Sequence, residues 1–199
     1  MKFSPQVIAV LFAVLGYLFY MYVHGGPGNL IHIKSQLDGK TYRVQDLPNK
    51  QEATEMLAKI HGNLIKLYSH YSQEEYASDP PAKLFVQRFN PENMMENSMT
   101  SSDTSYSENK GEKIVLCLRD KTSPPHYPLV DLNTVMFVVL HEMAHLMTAE
   151  LSTTSHTPEF WANFRRILQD SERMGIYSAV NYSHSPVEYC GMTITDSPL

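Results

Sequence analysis

Alternation and spacing of apolar residues divide the chain into stretches of distinct character. After "HGGPG", the segment "NLIHIKSQLDGKTYRVQDL" holds two short alternating runs around Asp38-Gly39, a pair that favours a tight hairpin turn, and predicts strands over Leu30–Ser35 and Thr41–Val44. From Lys50 to Tyr71 the residues Ala53, Met56, Leu57, Ile60, Leu64, Leu67 and Tyr68 recur at three- and four-residue intervals, the signature of an amphipathic helix packed on a sheet. His61 and His70 lie on or near this helix without a partner at ligand spacing and read as packing or surface histidines. Asp79-Pro80-Pro81 breaks the chain before a short helix, Ala82–Phe89, and "NPENMMENSMTSSDTS" is polar, turn-rich and reads as a loop. "TSYSENKGEKIVLCLR" resumes as a second hairpin turning at Asn109-Lys110-Gly111, with Ile114–Leu118 as its most strand-like run, and Pro124-Pro125 then excludes helix.

The next segment, "LNTVMFVVLHEMAHLMTAE" from Leu132 to Glu150, is free of Gly and Pro and nearly all apolar, so it predicts a helix buried on most sides, with Asp131 or Asn133 available to cap its start. "LSTTS" favours termination, and Thr157-Pro158 reads as the N-cap and first residue of another helix, Pro158 to Arg173, ended by Gly175. Phe160, Trp161, Phe164, Ile167 and Leu168 form its packing face, Trp161 as a core residue rather than one that stacks on a substrate.

The N-terminus departs from this pattern. Phe3–Val23 is an uncharged apolar run near the ~20 residues a helix needs to span hydrocarbon, and its terminal aromatics Tyr20 and Tyr22 suit a membrane interface. A signal peptide would have a shorter apolar region and a small-residue cleavage site, and the best candidate, after Gly25, is poor. The expected organisation is a single-pass anchor over residues 1–24, a Gly/Pro linker over 25–29 and one folded domain over 30–199. Only Lys2 and the terminal amine precede the run, while Lys34, Lys40 and Arg43 follow it, which leaves the membrane and the side of the domain undecided.

Charge and cysteine content narrow the partners. A net charge of −5 with scattered basic residues gives no strong sign of nucleic-acid binding. Cys117 and Cys190 are too few for a disulfide scaffold and read as two buried thiols, or as one bridge if the domain lies in an oxidising compartment.

The candidate chemistry lies in "HEMAHLMTAELSTTSHTPEFW", His141 to Trp161. At about 100° per residue, His141 and His145 project from one helical face one turn apart and can chelate one ion. Glu142 is offset by about 100°, beside the ion, where its carboxylate can take a proton from a metal-activated water. The bland reading is a core helix with two satisfied histidines. Burying Glu and two His in so apolar a helix costs several kcal/mol unless something pairs them, and Zn²⁺ would do so. Catalytic zinc takes three protein ligands, and His156, in the link between the two helices, is the third candidate; Glu159, His184 and His126 compete with it. Tyr189 is a weak candidate for a donor to developing negative charge, with a packing Tyr as the plainer reading, and Met192 could support the site from beneath, with a core Met as the plainer one. A peptide substrate would pair as an extra strand along Ile114–Leu118.

"HEMAH", the later histidine and "PEFW" together resemble the zincin metallopeptidases of the SprT-like and WLM type, in which HExxH is followed by a third His and then an aromatic residue. "YRVQDLPNKQEA", "NKGEKIVLCLR" and "VEYCGMTIT" extend the resemblance to a WLM-like group found in large DNA viruses and algae. It implies a zincin-like α+β fold with a small sheet on the HExxH helix, zinc on His141, His145 and His156, Glu142 as general base, and a protein or peptide substrate. Related enzymes act on DNA-protein crosslinks or ubiquitin-like conjugates. This chain departs from them in its apolar N-terminal run, in lacking a basic tail or further zinc finger, and in the ten residues between His145 and His156. The alternative class is a non-catalytic, membrane-anchored metal-binding or interaction domain, which would not need Glu142. A soluble DNA-repair protease would require the N-terminal run not to be a membrane span.

Overall fold

The computed structural model describes residue 4 and residues 10–16, 29–108, 111–123, 126–149 and 156–199. Over this range the chain has a mixed α+β fold. Strand β1 (Leu30–Lys34) runs antiparallel to β2 (Thr41–Gln45), with Ile31 opposite Val44 and Ile33 opposite Tyr42. The connection is longer than the expected tight turn. Ser35 hydrogen-bonds back to Lys40, and Glu55 accepts from the Ser35 hydroxyl and from the backbone N–H groups of Gln36 and Leu37, at 2.7, 2.8 and 3.1 Å. A carboxylate from the following helix thus satisfies loop donors that a two-residue turn would have paired internally.

Helix α1 (Lys50–Tyr71) packs on β1 and β2 through the stripe its periodicity predicts, with Ala53, Leu57, Ile60, Leu64 and Leu67 buried. His61 packs edge-on against Tyr42, and His70 meets the Tyr76 hydroxyl at 2.9 Å, so both are packing histidines. A 3₁₀ turn (Glu74–Tyr76) leads to α2 (Pro80–Arg88), which begins with its prolines because the first helical turn needs no N–H partner there.

The segment expected to be a loop instead contains β3 (Met94–Glu96), all three residues buried. It lies in the middle of the sheet, parallel to both β2 and β5 (Lys113–Leu116). Strand β4 (Tyr106–Glu108) pairs antiparallel with β5, giving the order β1-β2-β3-β5-β4. The second hairpin is therefore present, with Asn109 and Lys110 of its turn outside the described residues. Gly111 is required: its φ is +96°, and a Cβ there would lie 2.5 Å from the Arg88 carbonyl oxygen.

The motif helix α3 (Leu132–Met147) starts at Asp131, whose carboxylate accepts from the Thr134 N–H at 3.0 Å. It ends three residues before the expected Glu150, which lies outside the described residues. Arg88 donates to the Leu146 and Thr148 carbonyls at 3.0 and 2.7 Å, capping the negative end of the helix. Helix α4 (Pro158–Arg173) opens at Thr157, whose hydroxyl accepts from the Phe160 N–H, and packs on α3. Asn163 on α4 donates to the Met147 carbonyl at 3.1 Å. A final hairpin, β6 (Val187–Tyr189) with β7 (Met192–Ile194), forms a separate two-stranded sheet. It turns at Cys190 (φ 52°) and Gly191 (φ 89°). The two cysteines are not free thiols: Cys117, just after β5, is disulfide-bonded to Cys190.

The apolar run Phe3–Val23 lies mostly outside the described residues, and with it most of the expected anchor over 1–24. Residues 10–16 are helical, with Val10, Leu11, Phe12, Val14 and Leu15 exposed. Among the described residues no helix is long and apolar enough to cross a membrane.

Candidate metal centre

His141 and His145 occupy successive turns of α3, and His156 reaches them from the link to α4. One nitrogen from each ring lies within 4.8 Å of the others, and the Nε2 atoms of His141 and His156 are 3.1 Å apart. Four-coordinate zinc with Zn–N distances of about 2.0–2.1 Å separates its nitrogens by about 3.3–3.4 Å. The His141–His156 pair is close to that spacing, and the widest pair needs to close by about 1.4 Å. Phe160 holds the rings from below: it is fully buried, and its centroid lies 4.9, 4.4 and 4.6 Å from those of His141, His145 and His156.

Burial, with smaller contributions from His145 and His156, pushes the His141 pKa down to about 3. Burial and then His156 push His145 down to about 4. Both rings are therefore neutral at neutral pH and present lone pairs, the form a metal ligand requires. Three convergent imidazoles, two of them held neutral, fit a borderline metal such as Zn²⁺.

Glu142 lines the same cleft as His141 and His156, a cavity of about 400 Å³. Burial raises its carboxyl to about 7, opposed by hydrogen bonds from the Ser107 backbone and side chain. The Ser107 N–H donates to Glu142 Oε2 at 3.1 Å, so strand β4 orients the carboxylate. This partner was invisible in the sequence, because it depends on which N–H groups the outer strand turns away from β5.

The competing ligands lie elsewhere. Glu159 accepts from the Ala149 N–H, His184 meets the Asn181 side chain, and His126 stands outside the cluster. Tyr189 is not a free donor. It is fully buried, its hydroxyl donates to the Cys117 carbonyl at 2.8 Å, and the Ser105 hydroxyl lies 2.6 Å away. Since a phenol has one proton, Ser105 must donate to Tyr189, while Ser105 Oγ accepts the Cys117 N–H. Both hydroxyl protons are thus committed.

Two further expectations are corrected. Trp161 is 44% exposed and Met192 46% exposed, and both line the cleft instead of packing in the core or beneath the site. Trp161 falls off the buried stripe Phe160, Phe164, Ile167, Leu168, and Met192 projects from the unanticipated C-terminal hairpin. The extended run Ile114–Leu118 cannot accept a peptide edge-on, because β5 is enclosed by β3 and β4; the outer strand on this side is β4.

No protein-family model matches the chain. Among solved structures it is similar to the crystal structure of Wss1 from Saccharomyces cerevisiae, with a TM-score of 0.48, 20% identity, and coverage of 66% of this chain and 88% of that one. Among curated proteins it is 35% identical over 85 residues to uncharacterized protein 136R of Invertebrate iridescent virus 6, which covers 42% of this chain and 44% of the relative. It is 34% identical over 197 residues to uncharacterized protein R325 of Acanthamoeba polyphaga mimivirus, covering 96% of this chain and 95% of the relative. With near-complete overlap at that identity, the chain belongs to the family of the mimivirus protein R325.

Proposed function

We propose that the chain is a zinc-dependent metallopeptidase, anchored in a membrane by Phe3–Val23. The observation that carries this reading is the convergence of three histidine nitrogens within 4.8 Å, with the Glu142 carboxylate facing the same open cleft. The resemblance of "HEMAH", His156 and "PEFW" to WLM-type zincins supports it.

His141, His145 and His156 would hold the metal. A zinc ion held there would supply Lewis acidity for activating water and polarising a carbonyl. The chain's own residues do the rest. Glu142, oriented by Ser107, takes the proton of the attacking water and returns it to the leaving amine. Phe160 packs against all three rings and limits how far they can spread. An extended peptide would lie against the outer strand β4, whose Thr104–Ser105 approach lines the cleft.

The test uses the full chain. It should bind about one zinc per chain and hydrolyse unstructured peptides. Glu142→Gln should retain the zinc and lose hydrolysis by about 10²–10⁴-fold, the range of a general base. Zinc lost with that substitution, or turnover left unchanged, removes Glu142 from the role; zinc bound by a wild-type chain without hydrolysis favours the non-catalytic metal-binding domain.

A further inference from the structure

The lining of the cleft beside Glu142 divides by chemistry into a polar and an apolar half. Thr104 and Ser105 before β4, with Thr193 and Thr195, are polar, while Phe137, Phe164 and Trp161, whose ring centroids lie 5.1 and 6.2 Å apart in turn, form an apolar floor that Met192 extends. Among the described residues from 29 onward, the exposed large apolar side chains are Leu37, Trp161, Met192 and Leu199. Trp161 and Met192 share this cleft, which neither Leu37 nor Leu199 lines. Exposed apolar groups gathered at a concave site mark a binding surface.

Met192 and Ile194 reach this cleft from β7, which is not part of the five-stranded sheet. The hairpin is fastened to that sheet at one corner. Cys190 in its turn is bonded to Cys117 after β5, and the neighbouring Tyr189 donates to the Cys117 carbonyl. Beyond Ile194, Asp196 adds a carboxylate to the same wall. An acidic side chain would meet it unfavourably, whereas an apolar one would cover Trp161, Met192 and the phenylalanine floor.

Resting on the metallopeptidase reading, we propose that this half of the cleft selects a large apolar side chain of the substrate peptide beside the scissile bond. Trp161 and Met192 are its specificity-determining residues, and the C-terminal hairpin, held by Cys117–Cys190, is one wall of it. The bridge is thus a positioning element of the substrate pocket.

Trp161 is the only tryptophan in the chain, so its fluorescence reports on the pocket directly. The zinc-loaded full chain in detergent would be titrated with otherwise identical tryptophan-free peptides carrying Phe, Leu, Ala or Asp at one central position, and their hydrolysis followed in parallel. The Phe and Leu peptides should bind about tenfold or more tighter than the Ala peptide, with the Asp peptide weakest. Met192→Glu, a change at an exposed position, should reduce the Phe-to-Ala ratio severalfold with bound zinc unchanged, and Cys117→Ser combined with Cys190→Ser should do the same. Equal affinity for all four peptides, or a ratio untouched by Met192→Glu, overturns the pocket assignment even if hydrolysis occurs. Selective binding without hydrolysis overturns the peptidase reading and leaves the pocket's selectivity standing. No binding of any peptide overturns both.

Discussion

Phe160 is fully buried and touches all three imidazoles, with centroid separations of 4.4 to 4.9 Å, so its ring sets how far apart the candidate ligands stand. Truncation to Ala should lower the stability of the metal-free chain by about 3–5 kcal/mol, the usual cost of removing a buried Phe, and weaken zinc binding as the rings lose their support. Denaturant unfolding and zinc titration measure the two effects separately; zinc affinity equal to wild type would show that the ring is packing alone. His156→Ala should weaken zinc binding by more than about 100-fold, beyond what changes outside the ligand shell produce. His184→Ala and His126→Ala should leave it almost unchanged, since neither ring joins the cluster. Equal affinity for His156→Ala and wild type would leave the ligand set wrong. The clustering of the three histidines was legible in the sequence, because helical spacing fixes His141 and His145 and the Thr157-Pro158 start lets His156 fold back. Trp161 was misread because an aromatic beside Phe160 and Phe164 looks like core, although a position one residue after a buried one faces about 100° away.

The long elements follow from period: α1, α3 and α4 coincide with the predicted helices to within a few residues because each carries a sustained apolar stripe. Strand β3 does not, because three residues, Met94-Met95-Glu96, carry too little pattern and end in a carboxylate. That carboxylate is the reason the strand can be central. Glu96 and Arg119 are both 1% exposed and paired at 2.6 Å, and the second Glu96 oxygen accepts the Gln45 N–H at 2.7 Å. The pair therefore joins β2, β3 and the chain after β5, a relation no local pattern records. Breaking it should be costly: Glu96→Ala or Arg119→Ala leaves one buried charge alone and should destabilise the chain by about 3–5 kcal/mol. Replacing both with apolar residues, Glu96→Leu with Arg119→Met, should recover much of that loss because no unpaired charge remains, although the Gln45 N–H loses its acceptor. Urea unfolding of the four chains tests this; additive losses in the double variant would mean that the two side chains act independently.

At the scale of the whole molecule, the sequence left the side of the membrane open because the charges flanking Phe3–Val23 are few on both sides. The Cys117–Cys190 bond adds what the charges lack, since disulfides persist in oxidising compartments and are rare where thiols are kept reduced. The bridge closes a loop with a sequence separation of 73, for which a chain-entropy argument gives about 4 kcal/mol of stabilisation, so the domain has much to lose in a reducing compartment. If Phe3–Val23 anchors the chain as proposed, the bridge would set the cleft on the oxidising side of the membrane and the N-terminus on the reducing side. The expected outcome is a full chain that stays in the membrane fraction through alkaline carbonate washing and keeps its original N-terminus. Cys117 and Cys190 should resist alkylation until a reductant is added, and in sealed vesicles a protease should reach residues 29–199 only from the oxidising face. Release by carbonate, or a mature chain beginning near Gly26, would make the apolar run a cleaved signal and leave the side assignment intact. Free thiols in the unreduced chain would instead remove the basis for the side assignment, and with it the hold on the hairpin that walls the cleft.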